Sequence, residues 1–293
     1  MLLAAEAESH GAITIINAMA TGKGAALGIK LWTRATVTVT NNAGMFKARN
    51  LSDPDENSRL AEVTAQRVFA HCGAGKRFGA VIETESNIPI AVGLKSSSAV
   101  SNAVALASFR ILQRHTNNLD VVRMGVEASL RAGVTLTGAY DDACACYFGG
   151  LIITDNARRM VLKRFNPKGK PRVLIHVPRA KRYTRDVNIK PLRAIRSIVQ
   201  IAHREALRGN YWNSMTLNGL IYSMALGYDA SIAKTALDAG ATAAGLTGKG
   251  PAVAAIVPES KRDDVLKAWR QYGGRIIDTT FNFEKAAVWR LTG

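Results

Sequence analysis

The residues of this sequence that could bind or transfer a charged group lie in three short stretches, and the first spans residues 87–100. It reads Asn-Ile-Pro-Ile-Ala-Val-Gly-Leu-Lys-Ser-Ser-Ser-Ala-Val. A β-leaning segment, residues 80–85, precedes it, and the apolar residues 101–113 contain no glycine or proline and predict a helix. Where a glycine turn meets a helix N-terminus, backbone amides and the helix dipole attract anions, and hydroxyl groups add hydrogen bonds or a metal contact. The stretch therefore predicts a phosphate-binding loop.

The serines of this loop also allow a simpler interpretation. The loop lacks the G-x-x-x-x-G-K-[ST] pattern of a P-loop and the G-x-G-x-x-G pattern of a dinucleotide-binding fold. Serine caps a helix well without any ligand. One serine is enough for a cap, however, so the three serines Ser96, Ser97 and Ser98 beside Gly93 favour ligand binding.

The second stretch, residues 137–142, predicts a glycine-marked turn that carries two adjacent aspartates, Asp141 and Asp142. The residues that follow are apolar, and burial of a carboxylate is costly unless the group is paired or used. One interpretation is a general base or a carboxylate that orients a metal ion. The alternative is that Asp142 caps a short helix. The apolar surroundings favour the first interpretation.

The third stretch, residues 244–251, places Gly245, Gly248 and Gly250 just before Pro251. Glycine and proline at these positions are explained by a hairpin between two strands. A loop whose backbone approaches a phosphate closely has the same composition. Taken alone, the stretch does not decide between these interpretations, and its significance comes from its combination with the other two.

The chain is strongly basic, since 39 Lys and Arg residues outnumber 22 Asp and Glu residues to give a formal charge of +17. A field of that sign attracts anions, among them nucleotides, phosphorylated metabolites and RNA. The excess is concentrated in residues 158–204, where Asp186 is the only acidic residue. Few aromatic residues are interleaved there to stack on bases, so the pattern favours a solvated or anion-attracting surface over a nucleic acid interface.

The composition also indicates in which cellular compartment the protein is expected. Residues 1–9 carry two glutamates and no basic stretch, unlike a signal peptide, and the longest charge-free run is too polar to span a membrane. Cys72, Cys144 and Cys146 are odd in number and lack the neighbours of a zinc set, which predicts free thiols. We therefore expect a cytoplasmic protein without a membrane segment.

Strands with interspersed helices, not in strict alternation, predict an α+β fold in two halves. Glycines predict a turn over residues 21–28, residues 41–44 predict a hairpin that returns as a strand at 45–51, and the basic residues 155–172 predict a passage between the halves. Further helices are expected at 58–71, 119–130, 189–207, 212–226, 231–238 and 260–272, and further strands at 11–18, 29–40, 151–154, 173–177, 252–257 and 275–283.

In their order along the chain, the three stretches resemble the motifs of the GHMP kinase superfamily, which includes galactose, homoserine and mevalonate kinases. The superfamily motif P-x-x-x-G-L-G-S-S-A-A is similar to residues 89–99, from which it differs at Lys95 and Ser98. The variant Gly-Leu-Lys-Ser-Ser-Ser-Ala resembles the archaeal-type shikimate kinases, as do residues 137–150. Residues 245–252 resemble the third motif of that group. The segment Ala12-Ile13-Thr14 lacks the basic residue that mevalonate and galactose kinases have there.

The resemblance implies the two-domain GHMP kinase fold, with an N-terminal α/β domain over residues 1–155 and a C-terminal ferredoxin-like domain over residues 156–293. The active site would lie between them. It also implies that ATP phosphates lie on the first loop and that the third loop closes over them. The residues implied to bind ATP are Pro89, Ile90, Ala91, Val92, Gly93, Leu94, Lys95, Ser96, Ser97, Ser98, Gly248 and Gly250.

The resemblance further implies chemistry at three positions. Ser97 matches a serine that contacts Mg²⁺, and Glu127 lies roughly where the superfamily has a second magnesium ligand. An aspartate of the second stretch would accept the proton of the substrate hydroxyl, and the spacing leaves Asp141 and Asp142 both open. The implied reaction is ATP-dependent phosphorylation of the 3-hydroxyl of shikimate. The alternatives are another GHMP kinase, such as a homoserine kinase, and a basic RNA-binding module.

Overall fold

Two β-sheets with helices packed on them form the fold in the computed structural model, which describes residues 3–169, 171–180, 182 and 188–292. The strands are β1 (Ala4–Ile16), β2 (Lys23–Thr40), β3 (Phe46–Asn50), β4 (Gly79–Ser86), β5 (Leu151–Asp155), β6 (Met160–Phe165), β7 (Arg172–Val177), β8 (Ala243–Leu246), β9 (Val253–Val257), β10 (Arg275–Thr280) and β11 (Ala287–Thr292). The helices are α1 (Arg59–His71), α2 (Ser96–Ile111), α3 (Asn118–Arg131), α4 (Tyr140–Phe148), α5 (Arg196–Arg208), α6 (Tyr211–Leu226), α7 (Ser231–Asp238) and α8 (Arg262–Trp269). The α+β class predicted from the sequence is confirmed.

The first sheet has the strand order β11-β1-β2-β4-β3, and β5 and β6 extend it from β2. The long strand β2 makes this possible because its first residues pair with β5 and its last residues pair with β4. The predicted hairpin at residues 41–44 is wrong, since β3 pairs in parallel with β4 and not with β2. Both edges of β2 are already occupied there by β1 and β4, so no edge is left for β3.

The predicted turn over residues 21–28 is confined to residues 21 and 22, where Gly22 has a φ angle of 73°, and the rest of the prediction is wrong because β2 begins at Lys23. Gly24 and Gly28 serve close packing instead of a turn. A Cβ at Gly24 would lie 2.2 Å from Oδ2 of Asp141, and one at Gly28 would lie 3.1 Å from Cα of Gly149. The bare backbone of β2 therefore lets α4, with its aspartates, lie directly against the sheet.

The second sheet has the strand order β10-β7-β9-β8, and every pair in it is antiparallel. Along the chain its elements run β7, three helices, β8, β9, α8, β10. This is the β-α-β-β-α-β connectivity of ferredoxin-like folds, with extra helices in the first crossover. The predicted ferredoxin-like C-terminal half is confirmed.

The first sheet also contains strands that follow residue 155 in the sequence. Strand β6 lies within the segment predicted as a passage between the halves and pairs with β5, while β11, near the end of the chain, pairs with β1. The division at residues 155 and 156 stays a prediction about domains. One buried apolar cluster joins the two sheets, with Ile13 and Leu27 from the first and Ile175 and Ile256 from the second. In the described residues, no helix combines the length and apolar character that a membrane span requires.

Candidate active site

The predicted phosphate loop connects the end of β4 to the start of α2, and its backbone makes a sharp reversal. Ala91, Gly93 and Lys95 all have positive φ angles, of 58°, 94° and 67°. Lys95 occupies the N-cap position of α2, and no side-chain hydrogen bond caps the helix. The serine-cap interpretation is therefore wrong. The first-turn amides of α2, which a helix cannot satisfy internally, face this end of the helix together with the positive end of the dipole.

Lys95 links the phosphate loop to the aspartate segment. Its Nζ donates to Oγ1 of Thr14 at 2.6 Å and lies 3.1 Å from Oδ1 of Asp142. Only 6% of the lysine side chain and 18% of the aspartate side chain are exposed. Because the pair is largely shielded from water, its charges interact more strongly than those of a surface ion pair. The ammonium group is therefore held at the N-terminus of α2 by a hydroxyl and a carboxylate.

The third predicted stretch packs directly on the phosphate loop. Thr247 Oγ1 donates to the carbonyl oxygen of Gly93 at 2.9 Å, and the Gly248 amide donates to Thr14 Oγ1 at 2.8 Å. A Cβ at Gly93 would lie 2.1 Å from the carbonyl oxygen of Thr247, so only glycine allows this approach. The stretch does connect β8 to β9, as the hairpin interpretation expected, and it also closes one side of the site.

The two aspartates lie in the first turn of α4 and not in the turn before it. No side-chain hydrogen bond caps this helix, so the interpretation of Asp142 as a cap is wrong. Asp141 is 3% exposed, and its Oδ1 accepts a hydrogen bond from Nδ2 of Asn156 at 2.7 Å. Burial, and then the charge of Asp142, raise the pKa of Asp141 to about 7. The structure thus separates a buried carboxyl group from one that faces the lysine.

A cavity of about 650 Å³ lies where these segments meet. It is lined by the segment before α1 and the start of that helix, by the segment between α3 and α4, by the phosphate loop and by the start of α4. The predicted site residues that line it are Ile90, Ala91, Gly93, Lys95, Ser96, Ser97, Ser98, Asp141, Asp142 and Gly248. Pro89, Val92, Leu94 and Gly250 do not line it. Val92 and Leu94 are buried in the apolar core and anchor the loop from below.

Family models of the GHMP kinases match both halves of the chain. Residues 59–150 match the model described as the GHMP kinases N terminal domain, and residues 198–275 match that described as GHMP kinases C terminal. The chain belongs to the GHMP kinase family. The resemblance inferred from the three sequence stretches is confirmed.

Curated relatives of this GHMP kinase align over nearly the whole chain. A shikimate kinase from Methanosarcina mazei is 40% identical over 295 residues, which cover 100% of this chain and 99% of the relative. A shikimate kinase from Pyrococcus furiosus is 44% identical over 273 residues, which cover 93% of this chain and 98% of the relative.

Solved structures of more distant proteins share the fold. A homoserine kinase from Cytophaga hutchinsonii superposes with a TM-score of 0.75 at 16% identity, over 98% of this chain and 97% of that one. A mevalonate kinase from L. major in complex with R-mevalonate superposes with a TM-score of 0.73 at 16% identity, over 96% of each chain. At this identity the likeness concerns the fold alone.

Glu127 of the kinase, predicted as a second magnesium ligand, lies outside the residues that line the cavity. It forms ion pairs with Arg67 and, at 3.3 Å, with Arg159. Among the described residues, no cluster of three or more His, Cys, Asp or Glu side chains is arranged to hold a metal ion. The structure therefore does not bring Glu127 together with Ser97.

Sequence reasoning missed several polar residues of the site, since they come from distant parts of the chain. Asn17 donates from Nδ2 to the carbonyl oxygen of Gly248 at 2.7 Å. Lys249 lines the cavity, and burial followed by the charge of Lys95 lowers its pKa to about 8. The lysine of the Gly-Lys-Gly run was visible in the sequence as a cation beside a phosphate-type loop. Nothing local marked Asn17.

Of the described residues in the basic segment 158–204, one cation, Arg182, lines the cavity. The regular elements of this segment are β6, β7, a short helical turn at Lys190–Arg193 and the first part of α5. Lys170, Lys181, Arg185 and Asp186 lie outside the described residues. Nucleic acid binding by this segment stays a prediction that the sequence disfavours.

Proposed function

We propose that this GHMP kinase is a shikimate kinase, which transfers the γ-phosphoryl group of ATP to the 3-hydroxyl of shikimate in aromatic amino acid biosynthesis. The observation that carries the proposal is the Lys95–Asp142 pair at the N-terminus of α2, which puts a cation and a carboxylate beside an anion-binding helix end. Curated relatives named shikimate kinase, 40% and 44% identical, cover nearly the whole chain and support shikimate as the acceptor.

The ATP phosphates would lie at the first turn of α2, where the amides of Ser96, Ser97 and Ser98 and the helix dipole favour negative charge. Gly248, whose φ angle is 58°, brings the third loop against the same space without a side chain. The nucleoside would extend along the cavity walls formed by residues 55–61 and 132–139. Phosphoryl transfer depends mainly on such positioning and on neutralisation of charge.

In the reaction, a bond forms between the acceptor oxygen and the γ-phosphorus, and the bond from that phosphorus to the β–γ bridging oxygen breaks. Asp142 would orient the acceptor hydroxyl and take its proton, because it faces both the cavity and Lys95. Lys95 would stabilise negative charge on the transferred phosphoryl oxygens. Asp141 is suited to a supporting role, since it is almost fully buried and bonded to Asn156.

The residues present fit a magnesium ion that is held mainly by its substrate. Mg²⁺ keeps several waters and binds through phosphate oxygens with few protein ligands. The Ser97 hydroxyl lines the cavity in the first turn of α2, where it would supply such a ligand. A bound Mg²⁺ would neutralise part of the phosphate charge. Glu127 is not part of this proposed site.

The proposal is tested by measuring ADP release with ATP and Mg²⁺ in the presence of shikimate, homoserine or mevalonate in separate reactions. We expect shikimate to support turnover, with kcat/KM at least about 10⁴ M⁻¹s⁻¹, the lower end of the usual range for enzymes acting on their own substrate. Turnover with homoserine or mevalonate but not with shikimate would refute the assignment.

A further inference from the structure

Arg182 lines the cavity and is held there through both its backbone and its side chain. Its backbone amide donates to the carbonyl oxygen of Ala91 at 2.8 Å, which ties it to the phosphate loop. Its guanidinium lies over the ring of Tyr228, 4.9 Å from the centroid, and Nη1 donates to the carbonyl oxygen of Leu226 at 3.3 Å. The backbone of Arg182 is therefore tied to the phosphate loop, while its side chain is held by residues at the end of α6 and just beyond it.

The partners of this guanidinium among residues that the structure describes are a carbonyl group and an aromatic ring, and both are uncharged. Within the described part of the chain, no carboxylate forms an ion pair with Arg182. A guanidinium has five N–H donors, and among the described residues one of them is engaged in a side-chain hydrogen bond, to Leu226. A planar donor set that lines a cavity and still carries its full charge is suited to bind an anion through two parallel hydrogen bonds.

A second cation is connected to Arg182 through Tyr228. The hydroxyl of Tyr228 donates to the carbonyl oxygen of Lys249 at 2.9 Å, and Lys249 lines the same cavity. The residue before Lys249, Gly248, bonds to Thr14, which also holds Lys95 beside Asp142. Tyr228, Gly248 and Thr14 thus connect Arg182 and Lys249 to the Lys95–Asp142 pair, beside which the acceptor hydroxyl would lie.

We propose that Arg182 binds the carboxylate of the acceptor, with Tyr228 holding the guanidinium in place and Lys249 adding positive charge beside it. The inference rests on the proposed function, since shikimate carries a carboxylate as well as the hydroxyl that is phosphorylated. A carboxylate fixed at Arg182 and a hydroxyl directed to Asp142 would set the orientation of the ring between them. Arg182 would thus select acidic acceptors over neutral ones.

The test compares shikimate with its uncharged methyl ester in the wild-type kinase and in Arg182→Gln and Arg182→Lys. The backbone bond to Ala91 is retained in both variants. Arg179→Gln is the matched control, because it removes the same charge from an exposed position in the same segment, outside the cavity.

We expect Arg182→Gln to raise KM for shikimate about 10- to 100-fold, as loss of a charge-assisted bidentate pair should. KM for ATP, and KM for the methyl ester, should change by less than about threefold, because neither uses the clamp. Arg182→Lys should lie between wild type and Arg182→Gln, since it keeps the charge but not the planar pair. Arg179→Gln should match the wild type.

The outcomes separate this inference from the proposed function. Absence of shikimate turnover in the wild type refutes the proposed function and, with it, the carboxylate clamp. If the wild type phosphorylates shikimate and Arg182→Gln still prefers the acid to the ester by the wild-type factor, only the clamp is wrong. A rise of KM for ATP in place of KM for shikimate would also overturn it and would assign Arg182 to the nucleotide phosphates.

Discussion

Replacement of Asp141 by asparagine should make the stability of the kinase less dependent on pH. Burial and the neighbouring Asp142 raise the pKa of Asp141 from 3.8 to about 7 in the folded protein. When folding raises the pKa of a carboxyl group, the folded state binds the proton more tightly than the unfolded state. The free energy of unfolding is then greatest at a pH below the unfolded-state pKa. It falls as the pH rises and levels off above the folded-state pKa. The shift of about three units corresponds to about 4 kcal/mol in total.

Asparagine keeps the shape of the side chain and an oxygen that accepts from Asn156, but it cannot ionise. The free energy of unfolding of Asp141→Asn minus that of wild type should therefore rise by about 3 kcal/mol between about pH 4.5 and pH 8. Urea unfolding at several pH values measures this difference, in which the effects of all other titrating groups largely cancel. Asp238→Asn, the same substitution at a side chain that is 61% exposed, is the control.

The expected change in the free energy of unfolding is large compared with the error of a urea experiment, so its absence would be detected. If the two stability curves run parallel from pH 4.5 to pH 8, Asp141 is not a buried carboxyl group with a raised pKa. The separation of roles between Asp141 and Asp142 would then lose its physical basis.

Two further predictions concern the proposed base and the close approach of the loops. Asp142→Asn should lower kcat about 10²- to 10⁴-fold, as removal of a general base does. Asp141→Asn should lower kcat much less. Equal, mild losses of kcat for both variants in steady-state assays would count against Asp142 as the base. Gly93→Ala places a Cβ 2.1 Å from the carbonyl oxygen of Thr247, at a φ of +94°. This substitution should destabilise the protein by about 1–3 kcal/mol or more, and calorimetry should show weaker ATP binding. The control is Gly273→Ala, whose Cβ would meet nothing within 4 Å and which should have neither effect. ATP binding that is unchanged by Gly93→Ala would show that this contact does not shape the site.

Local sequence patterns were sufficient where one segment supplies both the structure and the chemistry. The loop before α2 and the helix itself were predicted because the glycine, the serines and the following apolar residues lie close together in the sequence. The helices at 58–71, 212–226 and 231–238 were predicted nearly to their observed bounds, since apolar periodicity and glycine stop signals are both local.

The errors in predicting the turn and the hairpin share a physical cause. In each, contacts with residues far along the chain decided the structure of a segment that had been predicted from its local sequence. Gly24 and Gly28 look like turn residues, yet they lie in β2 and make room for Asp141 and Gly149. The hairpin signal at residues 41–44 failed because β4, far along the chain, takes the edge of β2 that β3 would need. Only the folded sheet shows which strand occupies that edge.

The candidate site could be predicted only in part, because its residues come from distant segments of the chain. Lys95 was named from its motif and Asp142 as one of two open candidates with Asp141, but the pairing of Lys95 with Asp142 across 47 residues was not predictable from spacing. Thr14 belongs to the segment 12–14, which contains no basic residue, and its hydroxyl accepts a hydrogen bond from Lys95. Arg182 could not be distinguished from the other cations of its basic segment until the fold placed it in the cavity.

The central claim, that this GHMP kinase phosphorylates shikimate, is tested most directly by identification of the product. The kinase would be incubated with ATP, Mg²⁺ and an equimolar mixture of shikimate, homoserine and mevalonate, and the phosphorylated species determined by mass spectrometry. Shikimate carrying one phosphoryl group, attached at the 3-hydroxyl, is the product expected. A phosphorylated homoserine or mevalonate as the main product, with shikimate unchanged, would contradict the assignment.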